Sequence, residues 1–490
     1  MARRGLLLAL MTAALAIAAD SPEESQIDFA NGLFRRGYYD MAAEQYRIYL
    51  EQFPQGNHVK AALYRLGESA YAAGQHEQAL KAFEDFLAQE PASGELDRFR
   101  ALLRKGEILY RLEKLQEAKN VLEPLSSPEI DRSIRAGALY HLAKVHYGLK
   151  DLSSAQSLLT TLVEQLSDSS MVPYARYQLA WVHLALGKPE SAAIEFSTVA
   201  DSNAEEALRA ESRYRAGETY DKIGWYEVSA QAYQKLREEF PNSEYAERAL
   251  YGLGWALYHA GRFKEASQVA QEFLGKHGDT PPALGVRYLL GNCYQQQGDY
   301  ERARDAYQAI RAEKPDSEFA LRAEYKTIWV FHLMGQADQA EQAALAFLNQ
   351  HKDSPLHGDA AFLRGVILAG KGNHEEAYEE FRLVAEKYTQ SEFAPEALYK
   401  AGECLAQMGR LDEAARVFET FASTYPEHPL TEQAVMRAGD AQFFTAAFEQ
   451  AIARYQRIVE TAAEPPVVQE ALYRMAVTYH NMRDYELSAK

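Results

Sequence analysis

The residue types that usually carry catalysis are present, but their spacing does not build a catalytic or metal site. His141 and His146 are five residues apart, which places them on different faces of a helix, so they do not predict a metal site. The sequence contains no phosphate-binding glycine loop, no Cys-x-x-Cys pair and no serine elbow. We therefore predict that the protein is not an enzyme and uses no cofactor or metal.

Charged residues pair instead along single helices. A basic residue precedes an acidic residue by three positions at five places: Arg65–Glu68, Arg104–Glu107, Arg215–Glu218, Lys400–Glu403 and Arg437–Asp440. Such a pair stabilises a helix by about 0.2–0.5 kcal/mol and is typical of a solvated face. These pairs predict a helical surface rather than an active site.

Tryptophan makes the most distinctive pattern. Trp181, Trp255 and Trp329 are separated by 74 residues each. A tyrosine precedes each by four residues, which puts each pair on one helical face: Tyr177, Tyr251 and Tyr325. Because related positions elsewhere hold acidic residues, which are seldom fully buried, the pairs predict an aromatic stripe that contacts a partner. The alternative is that these rings only fill space between neighbouring helices.

The elements that position these residues follow a repeat. From Leu103 onward a bulky residue recurs every 37 residues: Tyr140, Tyr177, Tyr214, Tyr251, Tyr288, Tyr325, Phe362, Tyr399, Met436 and Tyr473. Alanine or serine follows each by fifteen residues, and two earlier repeats at Ile27 and Tyr64 keep this offset. Such a period indicates a solenoid, in which each repeat packs only against its neighbours. The tryptophan spacing is twice the period, so a pair of repeats was the duplicating element.

Each repeat is predicted to be a helix, a turn and a second helix. Nine turn glycines suit a helix end that needs a positive φ: Gly37, Gly74, Gly187, Gly224, Gly261, Gly298, Gly335, Gly372 and Gly409. Another glycine recurs inside eight first helices, at Gly67, Gly106, Gly217, Gly254, Gly291, Gly365, Gly402 and Gly439. Because glycine destabilises a helix interior by about 1 kcal/mol, it predicts a close crossing, with the alanine or serine of the second helix opposite it.

The motif of a small residue, Tyr, Leu-Gly, then Gly-x-Tyr-x-x-Ala and a closing aromatic-Pro, as in Phe240-Pro241 and Tyr425-Pro426, resembles the tetratricopeptide repeat (TPR). The resemblance implies an all-α, TPR-like α-solenoid: a right-handed superhelix of antiparallel helix pairs, with about twelve 37-residue repeats and a partial one over residues 27–490. It also implies that first helices line a concave groove. The candidate partner-binding residues are then Tyr177, Trp181, Tyr251, Trp255, Tyr325 and Trp329.

The first residues predict export. Arg3 and Arg4 precede an apolar run and small residues, so residues 1–18 are predicted to be a secretory signal peptide, followed by a short segment, 19–26. The run is too short to span a bilayer, and no cysteine near the cleavage point is available for lipidation. We expect a soluble, periplasmic protein with no transmembrane span after signal removal.

Charge and cysteine content narrow the partners. The net charge of −18, about −20 without the two arginines, disfavours binding to nucleic acid. Cys293 and Cys404 lie three repeats apart, too far for a disulfide. The expected partners are therefore proteins or peptides, while the oligomeric state stays open.

Within the family, the repeats are similar to those of periplasmic BamD-like outer-membrane assembly proteins and CpoB-like coordinators of the Tol-Pal system. This implies a non-enzymatic scaffold of the cell envelope, acting in outer-membrane assembly, division and cell-wall coordination, or polymer export. Two alternatives remain. Because Lys490 falls inside an unfinished repeat, the array is alternatively a targeting or assembly module of a longer enzyme or export machine. It is otherwise a periplasmic holdase chaperone.

Overall fold

The computed structural model describes residues 21–89, 95–483 and 487. Within them it contains α-helices, one short 3-10 helix and no β-strand. The expected signal peptide, residues 1–18, and the last residues of the expected partial repeat, 488–490, lie outside the described residues.

Twenty-five α-helices follow one another along the described chain, and the 3-10 helix, Glu123–Ser126, lies between α6 and α7. Their bounds are α1 (Pro22–Arg35), α2 (Tyr39–Gln52), α3 (Val59–Ala72), α4 (His76–Ala88), α5 (Glu95–Arg111), α6 (Leu115–Leu122), α7 (Arg132–Gly148), α8 (Leu152–Gln165), α9 (Val172–Ala185), α10 (Pro189–Ala200), α11 (Glu206–Lys222), α12 (Tyr226–Glu239), α13 (Ala246–His259), α14 (Phe263–His277), α15 (Ala283–Gln296), α16 (Tyr300–Glu313), α17 (Glu318–Leu333), α18 (Ala337–Gln350), α19 (His357–Gly370), α20 (His374–Lys387), α21 (Ala394–Gln407), α22 (Leu411–Thr424), α23 (Thr431–Phe444), α24 (Phe448–Thr461) and α25 (Pro465–Asn481).

The helices form the predicted pairs. Odd-numbered helices are the first helices of the repeats and even-numbered helices are the second helices, so α25 is the first helix of the thirteenth repeat. Helices that are neighbours in sequence pack together, and some successive first helices also touch, such as α5 and α7. This arrangement confirms the all-α solenoid. The first helix begins at Pro22, ahead of Ile27, because the Ser21 side chain accepts a hydrogen bond from the Glu24 N–H at 3.1 Å and caps it.

The chain divides into two compact units, residues 1–256 and residues 257–490. In the first, alternating first and second helices surround small buried clusters, one of which contains Tyr46 and Tyr49. In the second, the largest cluster joins α17 to α21 and includes Phe347 and Phe381. Each unit is thus stabilised by a series of small cores, as expected for stacked repeats.

The turns between paired helices behave as predicted. All nine turn glycines have φ between +70° and +84°. In the repeats that lack this glycine, the same left-handed conformation is adopted by Glu113, Lys150, Ala446 and Arg483. The conformation is therefore required by the fold, whichever residue occupies it.

The glycine inside each first helix faces a large side chain. A Cβ at Gly67 would come within 2.8 Å of the Phe83 ring, and one at Gly217 within 2.7 Å of the Tyr233 ring. We expected the small residue of the second helix opposite this glycine. The structure instead places there the bulky residue one helical turn later, while Ser229 donates a hydrogen bond to the Gly217 carbonyl at 3.0 Å.

The one first helix with a large residue at this site shows the reverse arrangement. Ile328 takes the place of the glycine in α17, and Ala344 of α18 takes the place of the ring. Both are fully buried in one cluster. The exchange keeps the local volume, which is the kind of core substitution that proteins tolerate best.

Candidate functional site

The six candidate partner-binding residues lie on three first helices, α9, α13 and α17, with the two residues of each pair one turn apart. Five of them are half-buried. The exception is Tyr325, which is 9% exposed and therefore offers the least surface to a partner. The rings thus pack on one side and reach solvent on the other.

Trp181 on α9 has the best-defined surroundings. Its ring meets Tyr177 edge-on at 6.2 Å and Phe196 of α10 edge-on at 5.6 Å, measured between ring centroids. The Arg215 guanidinium of α11 lies 5.5 Å from the ring centroid. Trp181 is therefore held by its own repeat and by the next first helix, with a cation against its π face.

Polar contacts fix the neighbours of this tryptophan. The Tyr177 hydroxyl donates to Glu211 Oε1 at 2.8 Å, and burial raises the pKa of Tyr177 to about 12. Arg215 donates to Glu218 Oε2 at 2.8 Å. This Arg–Glu pair was predicted from the three-residue spacing. Its two side chains are about 30% exposed, so the pair orients Arg215 more than it stabilises the fold.

Trp329 packs in the second compact unit. It lies against the buried cluster that includes Ile328 and Leu363, and its ring is 6.1 Å from that of His332. Tyr325, one turn earlier, is 6.4 Å from Phe347, and burial raises its pKa to about 12. Packing and an available ring face therefore coexist at this position.

The solvated-face prediction is wrong for Glu107 of α5. This residue is 8% exposed, because α3 and α7 cover it. Tyr71 donates a short hydrogen bond to Glu107 Oε1, Arg104 donates to Oε2 at 2.8 Å, and His141 Nε2 lies 3.9 Å from Oε2. Burial opposes ionisation, yet these three neighbours lower the pKa of Glu107. The acid is a partly buried anchor of an ion cluster.

A rule that connects successive first helices was missed in the sequence. We number each first helix from its periodic bulky residue, so that the next residue is position 1 and the residue four later is position 4. Position 1 of one first helix contacts position 4 of the preceding one in four places: Arg104–Glu68 at 3.1 Å, His141–Glu107, Arg215–Trp181 and Arg474–Asp440. We call this series the cation ladder.

A signal for the cation ladder was present in the sequence. Residues at position 1 follow the contacted residue by 34 positions, or by 36 across the insertion before Arg104. The three-residue spacing drew attention to pairs within one helix instead. Two of those predicted pairs are replaced, since Lys400 meets Glu396 at 3.7 Å and Asp440 meets Arg474.

The chemistry of the face is recognition. In residues 21–89, 95–483 and 487, no group of three or more His, Cys, Asp or Glu side chains is arranged to hold a metal ion. Cys293 and Cys404 are buried and free, and burial raises their pKa values, to about 12 and about 11. No helix within the described ranges has both the length and the apolar character of a membrane span.

Comparison with known proteins identifies the repeat. Family models of the tetratricopeptide repeat match residues 27–89, 64–118, 177–244, 214–281, 251–318 and 334–392, and a second model of the same repeat matches 396–428. No curated protein sequence matches the chain significantly.

Solved structures of repeat proteins are similar at low identity. A tetratricopeptide repeat protein from Parabacteroides merdae is 15% identical, with 57% of this chain and 99% of that chain covered and a TM-score of 0.38. Yeast Tom70 is 15% identical, with coverage of 94% and 96% and a TM-score of 0.37. Cut9–Hcn1 of the APC/C is 13% identical, with coverage of 98% and 94% and a TM-score of 0.32. These TM-scores carry no functional information. Because the family matches span more than half of the sequence, and the helices pair as the repeat requires, the chain belongs to the tetratricopeptide repeat family.

Proposed function

We propose that this chain is a non-enzymatic scaffold of the bacterial cell envelope that captures protein segments on its first helices. Tetratricopeptide repeats generally serve as protein-interaction modules, so protein partners follow from the family. The envelope is supported by the charged and apolar pattern of residues 1–18.

One observation carries the proposed mode of capture. Trp181 is half-buried, its ring packs on Tyr177 and Phe196, and the Arg215 guanidinium lies beside it. Trp, Tyr and Arg are the residues most enriched among those that dominate binding energy. Because packing already fixes these side chains, a partner would lose little conformational entropy on binding them.

Site-specific photocrosslinking tests this mode of capture. We would place p-benzoylphenylalanine at Gln178, at position 1 of α9, and at Ile194, which is 55% exposed on the second helix α10 of the same repeat. In cells of the source bacterium, position 178 should crosslink to one or two partners and position 194 should not. Equal crosslinking at both sites would contradict capture on first helices. Crosslinks from 178 to many unrelated unfolded proteins would indicate a holdase instead of a scaffold.

A substitution separates binding from packing. Trp181→Glu should abolish the crosslink from position 178 while the purified protein keeps its helical circular dichroism, since the ring is only half-buried. Burial of a whole aromatic core residue is worth about 3–5 kcal/mol. A loss of that size together with an intact crosslink would show that the tryptophan only packs.

The envelope assignment has its own test. Residues 1–26 fused to alkaline phosphatase without its own signal should give periplasmic phosphatase activity in a Gram-negative host, because that enzyme becomes active only after export. The same fusion with residues 1–18 deleted is the control. An inactive full fusion would rule out the periplasm.

A further inference from the structure

An open cavity on the second compact unit is the strongest unassigned site. It has a volume of about 400 Å³ and is lined by residues of α19 to α23. Its apolar wall contains Val366, Phe381 and Phe418, and its charged residues are Lys400, Glu403 and Arg437. The volume lies within the range of sites that take a side chain or a small ligand.

The cavity exists because one repeat has a small residue at position 4. Val366 stands where other first helices have tryptophan or an acid, as at Trp329 one repeat earlier. Trp329 and Val366 pack against the same buried cluster, so an apolar surface leads from α17 to the cavity. The missing side chain leaves room for one from another molecule.

The cation ladder is interrupted at the same place. Glu403 is at position 4 of α21 and Arg437 is at position 1 of α23, yet they form no ion pair although both line the cavity. Among the described residues Arg437 has no ion-pair partner at all, in contrast to Arg104 and Arg474. Lys400, at position 1 of α21, reaches only Glu396, at 3.7 Å. Two weakly engaged cations therefore border an apolar cavity on a chain whose net charge is −18.

We propose that this cavity binds an apolar side chain of a partner protein and that Lys400 and Arg437 hold an acidic side chain next to it in the partner sequence. Charge-assisted hydrogen bonds from Arg or Lys to a carboxylate are about twice as strong as neutral ones and give specificity. First helices continue on both sides of the cavity, α17 before it and α25 after it, so the bound segment crosses the site and does not end there. The acid is thus a side chain and not a chain terminus.

This inference rests on the proposed function, because it specifies the partner chemistry at one place on the first helices. The test is a selection of random 12-residue peptides displayed on phage, with each peptide's C-terminus fused to the coat protein so that no terminal carboxylate is offered. The full chain is the bait. Enriched peptides should carry an apolar residue directly beside Asp or Glu.

Matched variants assign those peptides to the cavity. We expect Lys400→Gln and Arg437→Gln each to weaken peptide binding about ten-fold, as for the loss of one charge-assisted hydrogen bond. Val366→Trp, which fills the cavity but keeps the charges, should weaken it at least as much. Arg416→Gln, on the exposed face of second helix α22, should have no effect. Circular dichroism checks that each variant is folded, and Arg437→Gln, an exposed residue, keeps the test decisive should Val366→Trp not fold.

The outcomes separate the two proposals. Enriched peptides without the apolar–acidic pair, or binding that survives both Arg437→Gln and Val366→Trp, would overturn the cavity assignment. If such peptides were lost with Trp181→Glu or Trp329→Glu, capture on first helices would stand and only this inference would fail. Insensitivity to every first-helix variant would contradict both. A change in oligomeric state of the Arg437→Gln variant would show that a second copy of the chain occupies the cavity, which would also overturn the proposal.

Discussion

Tyr233 of α12 shows how little free space the packing leaves around one side chain. Its ring lies between two first helices, so that a Cβ at Gly217 would come within 2.7 Å of it and a Cβ at Gly252 within 2.6 Å. The ring is 4% exposed and cannot move away from one glycine without approaching the other. Packing at this density explains why a residue that disfavours helices occurs inside them.

Gly217→Ala should therefore destabilise the protein although alanine is the better helix former. Overpacking of this kind typically costs about 1–3 kcal/mol, which outweighs a gain of about 1 kcal/mol in helix propensity. The matched control is Gly32→Ala in α1, where a Cβ would meet nothing within 4 Å, so stability should rise. Urea unfolding midpoints measure both variants. Equal shifts for both would show that propensity alone decides and that the ring is not confining.

His141 of α7 should make stability depend on pH. Its pKa is lowered from 6.5 to about 4, mainly by burial and further by the cations Lys144, Arg104 and Arg111, while Glu107 opposes the shift. Below pH 6.5 the unfolded chain binds a proton that the folded chain rejects until about pH 4, so stability falls as the pH falls through this window. At pH 5 the loss is about 2 kcal/mol.

The measurement compares His141→Gln with the unsubstituted protein by urea unfolding at pH 7.5 and pH 5. Other titrating groups are common to both proteins, so the difference in pH response isolates the histidine. The variant should lose about 2 kcal/mol less between the two pH values. An identical pH response would mean that His141 is protonated normally in the folded state.

At the scale of the element, the turn inside each helix pair is the most uniform feature. Gly224 has φ +79° and a Cβ there would meet nothing within 4 Å, while Ala446 occupies the equivalent place with φ +61°. A left-handed conformation costs a residue with a side chain about 1–2 kcal/mol, and glycine avoids this cost. The same helix pair is thus built with strain in some repeats and without it in others.

Ala446→Gly and Gly224→Ala are reciprocal tests of this strain. The first should stabilise the protein and the second should destabilise it, each by about 1 kcal/mol, because only backbone conformation changes. Thermal unfolding with matched scan rates measures both. A neutral or destabilising Ala446→Gly would show that the flexibility gained by the unfolded chain cancels the relief of strain.

The helix pairs could be predicted from the sequence, whereas the contacts between pairs could not. A period reveals which residues are equivalent, so the turn glycines and the helix positions followed from it. It does not give the angle at which one helix crosses the next, and that angle decides what an equivalent residue meets. For this reason Glu107 was predicted to be solvated but is buried, and the ring opposite each helix glycine was not identified.

At the scale of the whole molecule, stability should be close to a sum over repeats and over the interfaces between neighbours. The second period makes this sum alternate. Tryptophan occupies position 4 in every other repeat over residues 181–329, so an interface that follows a tryptophan-bearing repeat differs from one that precedes it. The repeat of 37 residues is then the structural step, and the pair of repeats is the step that restores the same neighbours.

Deletions of different length distinguish these two steps. Removing residues 288–361 takes out 74 residues and joins Arg287 to Phe362, which keeps both the helix phase and the alternation. Removing 288–324 takes out 37 residues and keeps the phase but sets two tryptophan-bearing repeats in succession. Removing 288–342 ends inside α18 and breaks the phase. We expect cooperative unfolding and full helical circular dichroism per residue for the first deletion, a lower unfolding midpoint for the second, and loss of helix for the third. A midpoint for the 37-residue deletion at or above that of the 74-residue deletion would show that all interfaces are equivalent and that the longer period has no structural consequence.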